Sequence, residues 1–110
     1  MDKKIIEWHQ KTFPDATLAS QLMKLEEELR EAIVARKHET TDRMLDELTD
    51  AYIVATSLVG RFDSAVGAFF LMFVKAHPIP GLKERVDKKM EINAKRKWVF
   101  KNGVHRYGDK

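Results

Sequence analysis

Lys24-Leu25-Glu26-Glu27-Glu28-Leu29-Arg30-Glu31 and, beyond a break at His38-Glu39-Thr40-Thr41, Glu47-Leu48-Thr49-Asp50 form the stretch around which the chain can be read. As two helices, it sets Glu28 and Glu31 three residues apart on the first, and Glu47 and Asp50 three apart on the second. That spacing is about 4.5 Å of rise along one face, so each pair can aim both carboxylates at a shared point. The break is short, which makes the helices antiparallel neighbours and turns the two acidic edges toward each other. The expected result is a cage of four carboxylates.

The surroundings of those carboxylates set their chemistry. On a helical wheel Leu18, Leu22, Leu25, Leu29, Ala32 and Ile33 form one apolar stripe, with Glu28 on its shoulder and Glu31 just beyond. The second helix carries the uncharged run Ala51-Tyr52-Ile53-Val54-Ala55-Thr56-Ser57-Leu58-Val59, with Glu47 and Asp50 on the side of Val54. Carboxylates drawn toward an interior are costly unless a cation compensates them, and four together also repel. Hard divalent ions take such oxygens, and Mg²⁺ fills the rest of its shell with waters and substrate phosphates. A solvated charged face, with Lys24 and Arg30 as helix partners, is the competing reading. It accounts for the first cluster taken alone, but not for a second cluster on an apolar helix.

Lys24-Leu25-x-Glu27-Glu28-x-x-Glu31 followed by Glu47-x-x-Asp50 resembles the EExxE and ExxD signature of the MazG-like, all-α nucleoside triphosphate pyrophosphohydrolases. The segment Lys89-Met90-Glu91-Ile92-Asn93-Ala94-Lys95-Arg96 is similar to the Lys/Asn/Arg helix that completes that family's active site. The likeness runs from about Phe13 to Trp98. It implies a Mg²⁺-dependent enzyme, with Mn²⁺ as a substitute, that converts a (deoxy)nucleoside triphosphate and water to the monophosphate and pyrophosphate. By the same resemblance Glu28, Glu31, Glu47 and Asp50 hold metal, Glu27 and Glu28 are catalytic, and Phe13, Lys24, Lys89, Asn93 and Arg96 bind substrate. A lean toward dATP and dGTP, in nucleotide-pool control or phage-type dNTP supply, is the accompanying expectation.

Composition bounds these readings. A chain of 110 residues suggests one domain, residues 1–110, small enough to profit from self-association as a dimer or tetramer. Hydrophobic content of 44% and charged content of 34% fit a globular chain rather than a disordered one. Cysteine is absent, which excludes disulfides and thiolate metal sites and fits a cytoplasmic home. The apolar run from Ala65 to Val74 is far shorter than the roughly 20 residues of a membrane helix, so no membrane partner is expected. Residues 1–74 hold 9 Lys and Arg against 13 Asp and Glu, whereas residues 75–110 hold 11 against 4. An acidic part for metal and a basic part for phosphate together describe a metal–nucleotide site. The alternative is a non-enzymatic, nucleic-acid-associated helical protein using the basic end, but no recognition motif accompanies that charge.

The remaining segments complete an all-α fold. We expect a four- to five-helix antiparallel bundle with helices over about 2–12, 16–37, 41–59, 64–76 and 82–97, followed by a short β-hairpin over 98–107. Asp2, Asp15 and Thr40 to Asp42 are the expected caps of the first three helices, and Gly60 is expected to end or bend the third. Trp8 and Phe13 belong to the core or to the wall of a base pocket, and His9 to the surface or a half-buried position. Ala65 to Val74 is apolar all round, so it is covered either by its own chain or by a second subunit, with Gly67 and Ala68 permitting close approach. His77-Pro78-Ile79-Pro80-Gly81 is a turn. The last helix carries one stripe, Leu82, Val86, Lys89, Met90, Asn93, Arg96 and Lys97, that changes from apolar to basic. Asn102-Gly103 between alternating residues signals a hairpin, whose Trp98, Phe100 and Tyr107 should pack on the helices or a neighbouring subunit.

Overall fold

A computed structural model describes the backbone of residues 2–101 and 104–107 and the side chains of residues 2–99. The longest uncharged run of the sequence becomes the central helix. Five helices, α1 (Lys3–Thr12), α2 (Leu18–His38), α3 (Thr41–Phe62), α4 (Ala65–Ala76) and α5 (Leu82–Lys95), precede an antiparallel pair, β1 (Trp98–Lys101) and β2 (Val104–Tyr107). All four other helices pack on α3. The fold is an all-α bundle, as the periodicity implies.

Two apolar clusters hold α3 in place. Leu25 of α2 meets Ala51, Val54 and Leu58 of α3, with Leu22, Leu29, Phe62 and Phe70 around them. On the other side Ile5 of α1, Ile53 of α3 and Val86 of α5 meet, with Tyr52, Leu82 and Met90 alongside. A fully buried side chain of this size contributes about 1.5–3 kcal/mol, so these contacts dominate the stability of the bundle. No helix among the described residues is long and apolar enough to cross a membrane.

Several local expectations are corrected. Thr17, not Asp15, caps α2, through a reciprocal capping box with Ser20. Asp2 and Thr40 do cap α1 and α3. Gly60 does not end α3, which runs on to Phe62 and stops at Asp63, whose φ of 50° is left-handed. The glycine is there for packing, because a Cβ at that position would run into the Ile6 side chain of α1. The stripe drawn on α2 is also rotated. Leu18 and Ile33 are exposed, and the buried line instead runs Gln21, Leu25, Glu28, Ala32 and Ala35. This line faces α3 and passes through Glu28 itself. Helix α5 ends at Lys95, so Arg96 and Lys97 are not on its stripe; Arg96 has extended backbone at φ −82°, ψ 149°.

Helix α4 is covered on one side only. Gly67 lies against α3, where a Cβ would come within 2.8 Å of Leu58 Cβ and 2.9 Å of the Ala55 carbonyl oxygen. Its small size therefore serves contact within the chain rather than the subunit approach expected of it. Val66, Phe69, Met72 and Phe73 are exposed on the opposite side. Trp98 packs on Trp8 and Phe13, as expected of the hairpin. The Asn102-Gly103 turn and the side chains of Phe100, His105, Arg106 and Tyr107 lie outside the described residues.

Candidate functional site

The rotation of α2 that buries Glu28 also builds a cleft of about 350 Å³ between α2, α3 and α5. Glu28 from α2 and Glu47 and Asp50 from α3 converge there, each offering an oxygen within 4.8 Å of the others. Glu28 and Glu47 are each 7% exposed. Glu31 lines the same cleft from an exposed position one turn along α2. Three of the four expected carboxylates thus meet closely, and the fourth stands at the rim.

The environment pushes Glu28, Glu31 and Asp50 toward their neutral forms. Burial, then the Asp50 charge, raises the Glu28 carboxyl to about 9. Burial, then the Glu47 charge, raises Glu31. Asp50 is raised by burial despite the opposing pull of Lys89. Glu28 Oε1 is buried without a hydrogen-bond partner. An orphaned carboxylate oxygen among other carboxylates fits a hard divalent cation, which takes oxygen ligands and offsets the repulsion.

Each of the three convergent carboxylates also has a cation beside it. Lys24 Nζ lies 3.3 Å from Glu28 and 3.2 Å from Glu27. Arg43 donates to Glu47 at 2.9 Å, and Lys89 to Asp50 at 3.2 Å. Lys24 and Lys89 were legible as site residues; Arg43 was not. Its signal is the i, i+4 spacing to Glu47, the same spacing that joins Lys24 to Glu28. Helix α5 is fastened in register by Arg85, which bonds Asp46 at 2.9 Å, Asp42 at 2.7 Å and the Pro80 carbonyl at 3.2 Å. That clamp keeps Lys89 and the buried Asn93 facing the cleft, and Arg96 reaches it from beyond the helix end.

The far end of the cleft is aromatic. Phe13 is buried and stands edge-on to Trp8 at 5.3 Å and to Trp98 at 5.1 Å between ring centroids. Trp98 is itself anchored by its indole N–H, which donates to the Asn93 carbonyl at 3.2 Å. His9 is buried beside this wall, contrary to the expected surface or half-buried position. Arg61 Nη1 lies 2.9 Å from His9 Nδ1. Because a guanidinium only donates, Nδ1 accepts, so the ring proton sits on Nε2 and is donated to Gln21 Oε1 at 2.9 Å. Arg61 also donates to the Phe13 carbonyl at 2.8 Å, which fixes the turn presenting that ring. Gln21 and Arg61 were not foreseen, since a lone Gln and a lone Arg carry no spacing signal.

Phe13, Lys24, Glu27, Glu28, Glu31, Glu47, Asp50, Lys89, Asn93 and Arg96 all line this one cleft. Comparison of the chain with protein-family models, curated proteins and solved structures returns no match.

Proposed function

We propose that the chain is a divalent-metal-dependent nucleoside triphosphate pyrophosphohydrolase of the MazG-like kind, converting a (deoxy)nucleoside triphosphate and water to the monophosphate and pyrophosphate. The observation that carries this reading is the convergence of the buried Glu28 and Glu47 with the half-buried Asp50, one oxygen orphaned, in a cleft that Lys89 and Asn93 also line. The position of cleavage comes from the resemblance of the acidic motifs.

Glu28, Glu47 and Asp50, with Glu31 at the rim, would hold Mg²⁺ or Mn²⁺. When bound, such an ion supplies charge neutralisation for phosphate and acidifies water enough to make it a nucleophile near neutral pH. The chain does the rest. Lys89, Arg96 and Lys24 hold phosphate oxygens and steady the departing pyrophosphate, while the Asn93 amide bonds to phosphate or sugar. Glu27, which lines the cleft beside Lys24, takes the proton from the attacking water. Trp8, Phe13 and Trp98 offer ring faces and edges to a planar base. Base identity is read at that wall, where dATP or dGTP would extend further than a pyrimidine.

Self-association through the outer face of α4 belongs to the same proposal. Four apolar side chains at more than half exposure on one short helix make a contact site for a second copy. Nucleic-acid association through residues 82–110 has less support, because no recognition motif accompanies that charge and Arg85 is held by Asp42 and Asp46.

The test is product analysis with a panel of dNTPs and NTPs in Mg²⁺, repeated for Glu47→Gln. Pyrophosphate and monophosphate are expected as products, with the variant reduced more than about 100-fold, since even the groups that support metal ligands cost about 10–100-fold when removed. Release of orthophosphate, or activity that survives the substitution, would overturn the proposal.

A further inference from the structure

The pairing of three convergent carboxylates with three cations has a consequence for binding. Glu28, Glu47 and Asp50 are each engaged by a cation, Lys24, Arg43 and Lys89 respectively, with Lys24 also reaching Glu27 and Arg43 also reaching Glu39 and Asp46, and all six side chains line the cleft. In this state the cations face carboxylates, and the cleft lining carries five acidic side chains against four basic ones, so it exerts little pull on a polyphosphate. The cations that would grip phosphate are engaged, and so are the oxygens that would hold metal. Among the buried side-chain oxygens and nitrogens of the described residues, Glu28 Oε1 is the one without a hydrogen-bond partner.

We propose that these cations exchange partners when a divalent ion and a polyphosphate enter: Glu28, Glu47 and Asp50 would hold the ion, and Lys24, Arg43 and Lys89 turn to phosphate oxygens. The proposal rests on the metal-site reading above and adds Arg43 as a phosphate-binding residue. A divalent ion would add two positive charges to this lining, which favours an incoming polyanion. The metal and the polyphosphate therefore strengthen each other's binding, and by linkage to the same factor in both directions. Arg43 is the clearest member of the exchange. It is half-exposed at one end of α3 and its fork already spans Glu39, Asp46 and Glu47, so rotation about its own side chain moves it without disturbing the core.

The sign of the effect distinguishes an exchanging cation from a merely structural one. In the full-length chain, Arg43→Met should bind Mn²⁺ alone more tightly by about two- to fivefold, the factor expected from losing a half-exposed ion pair that competes for Glu47. The same variant should bind the Mn²⁺ complex of inorganic triphosphate about tenfold more weakly, the effect of one charge-assisted phosphate contact. Lys89→Met should repeat the pattern through Asp50. Mn²⁺ uptake is read by electron paramagnetic resonance and triphosphate binding by calorimetry, so neither readout needs turnover. If Arg43→Met binds Mn²⁺ no better, or triphosphate no worse, the exchange is wrong while the metal site stands. Failure of the unmodified chain to take up Mn²⁺ would remove both.

Discussion

The cleft and the outer face of α4 depart from an ordinary globular surface in opposite directions. In the cleft, Glu28 and Glu47 are buried on helices whose neighbouring positions are Leu25, Ala32, Ala51 and Val54. On α4, Phe69 is 75% exposed and Met72 and Phe73 stand beside it in solvent. A buried carboxylate is costly until a cation joins it, and an exposed aromatic ring is costly until another apolar surface covers it. Both regions give up stability in the isolated chain, but they point to different completing partners: an ion and a polyanion for one, a second copy for the other.

Substitution can break this comparison, most severely at the cleft. Glu28→Gln should abolish metal-dependent turnover, with a loss above about 100-fold, yet raise the stability of the metal-free chain by about 1–3 kcal/mol, the penalty associated with an unsatisfied buried polar group. The pH dependence has a definite sign. Glu28 is raised in the folded chain to about 9 from an ordinary 4.5, so the folded state binds the extra proton between those values. Its stabilising contribution is complete below about pH 4.5 and is lost as pH rises toward 9, at up to about 1.4 kcal/mol per pH unit. Thermal melts of metal-free protein across that range should therefore show falling stability, with Glu28→Gln flattening the curve and saturating Mg²⁺ opposing the fall. A metal-free curve that rises with pH would show that the cleft carboxylates are not strained.

Smaller effects separate the two sides of α4. Gly67→Ala pushes a methyl group into Leu58 and the Ala55 carbonyl, and should cost about 1–3 kcal/mol in chemical denaturation, the usual range for overpacking. Phe69→Asp, on the outer side, should change the stability of a monomer by less than about 0.5 kcal/mol. Its effect should appear instead in sedimentation, as a dimer or tetramer reduced to the monomer mass. A wild-type chain that sediments as a monomer at high concentration would limit the comparison to the cleft.

Much of this arrangement was legible along the chain, for identifiable reasons. Glu28, Glu47 and Asp50 could be grouped because helical spacing is regular, and Lys89 and Asn93 because they continue an apolar stripe. Glu31 was grouped with them on the same grounds, yet it stands at the rim because the buried line of α2 is rotated toward Gln21 and Glu28. Gly60 signals a helix end or bend along the chain, whereas α3 runs through it and a Cβ there would meet Ile6 of another helix. Arg61 and His9 are 52 residues apart in sequence, so no local pattern could announce their bond.

By itself the sequence determined the helices, their order and the existence of two acidic edges, because helix period, capping and charge spacing are local properties. Only the tertiary structure decided which face of α2 turns inward, which three carboxylates meet, which cation each one keeps and which side of α4 stays bare. Those outcomes depend on how several helices share the surface of α3. Each alternative rotation would bury a different set of side chains, and the energies that choose among them come from contacts between residues far apart in the chain.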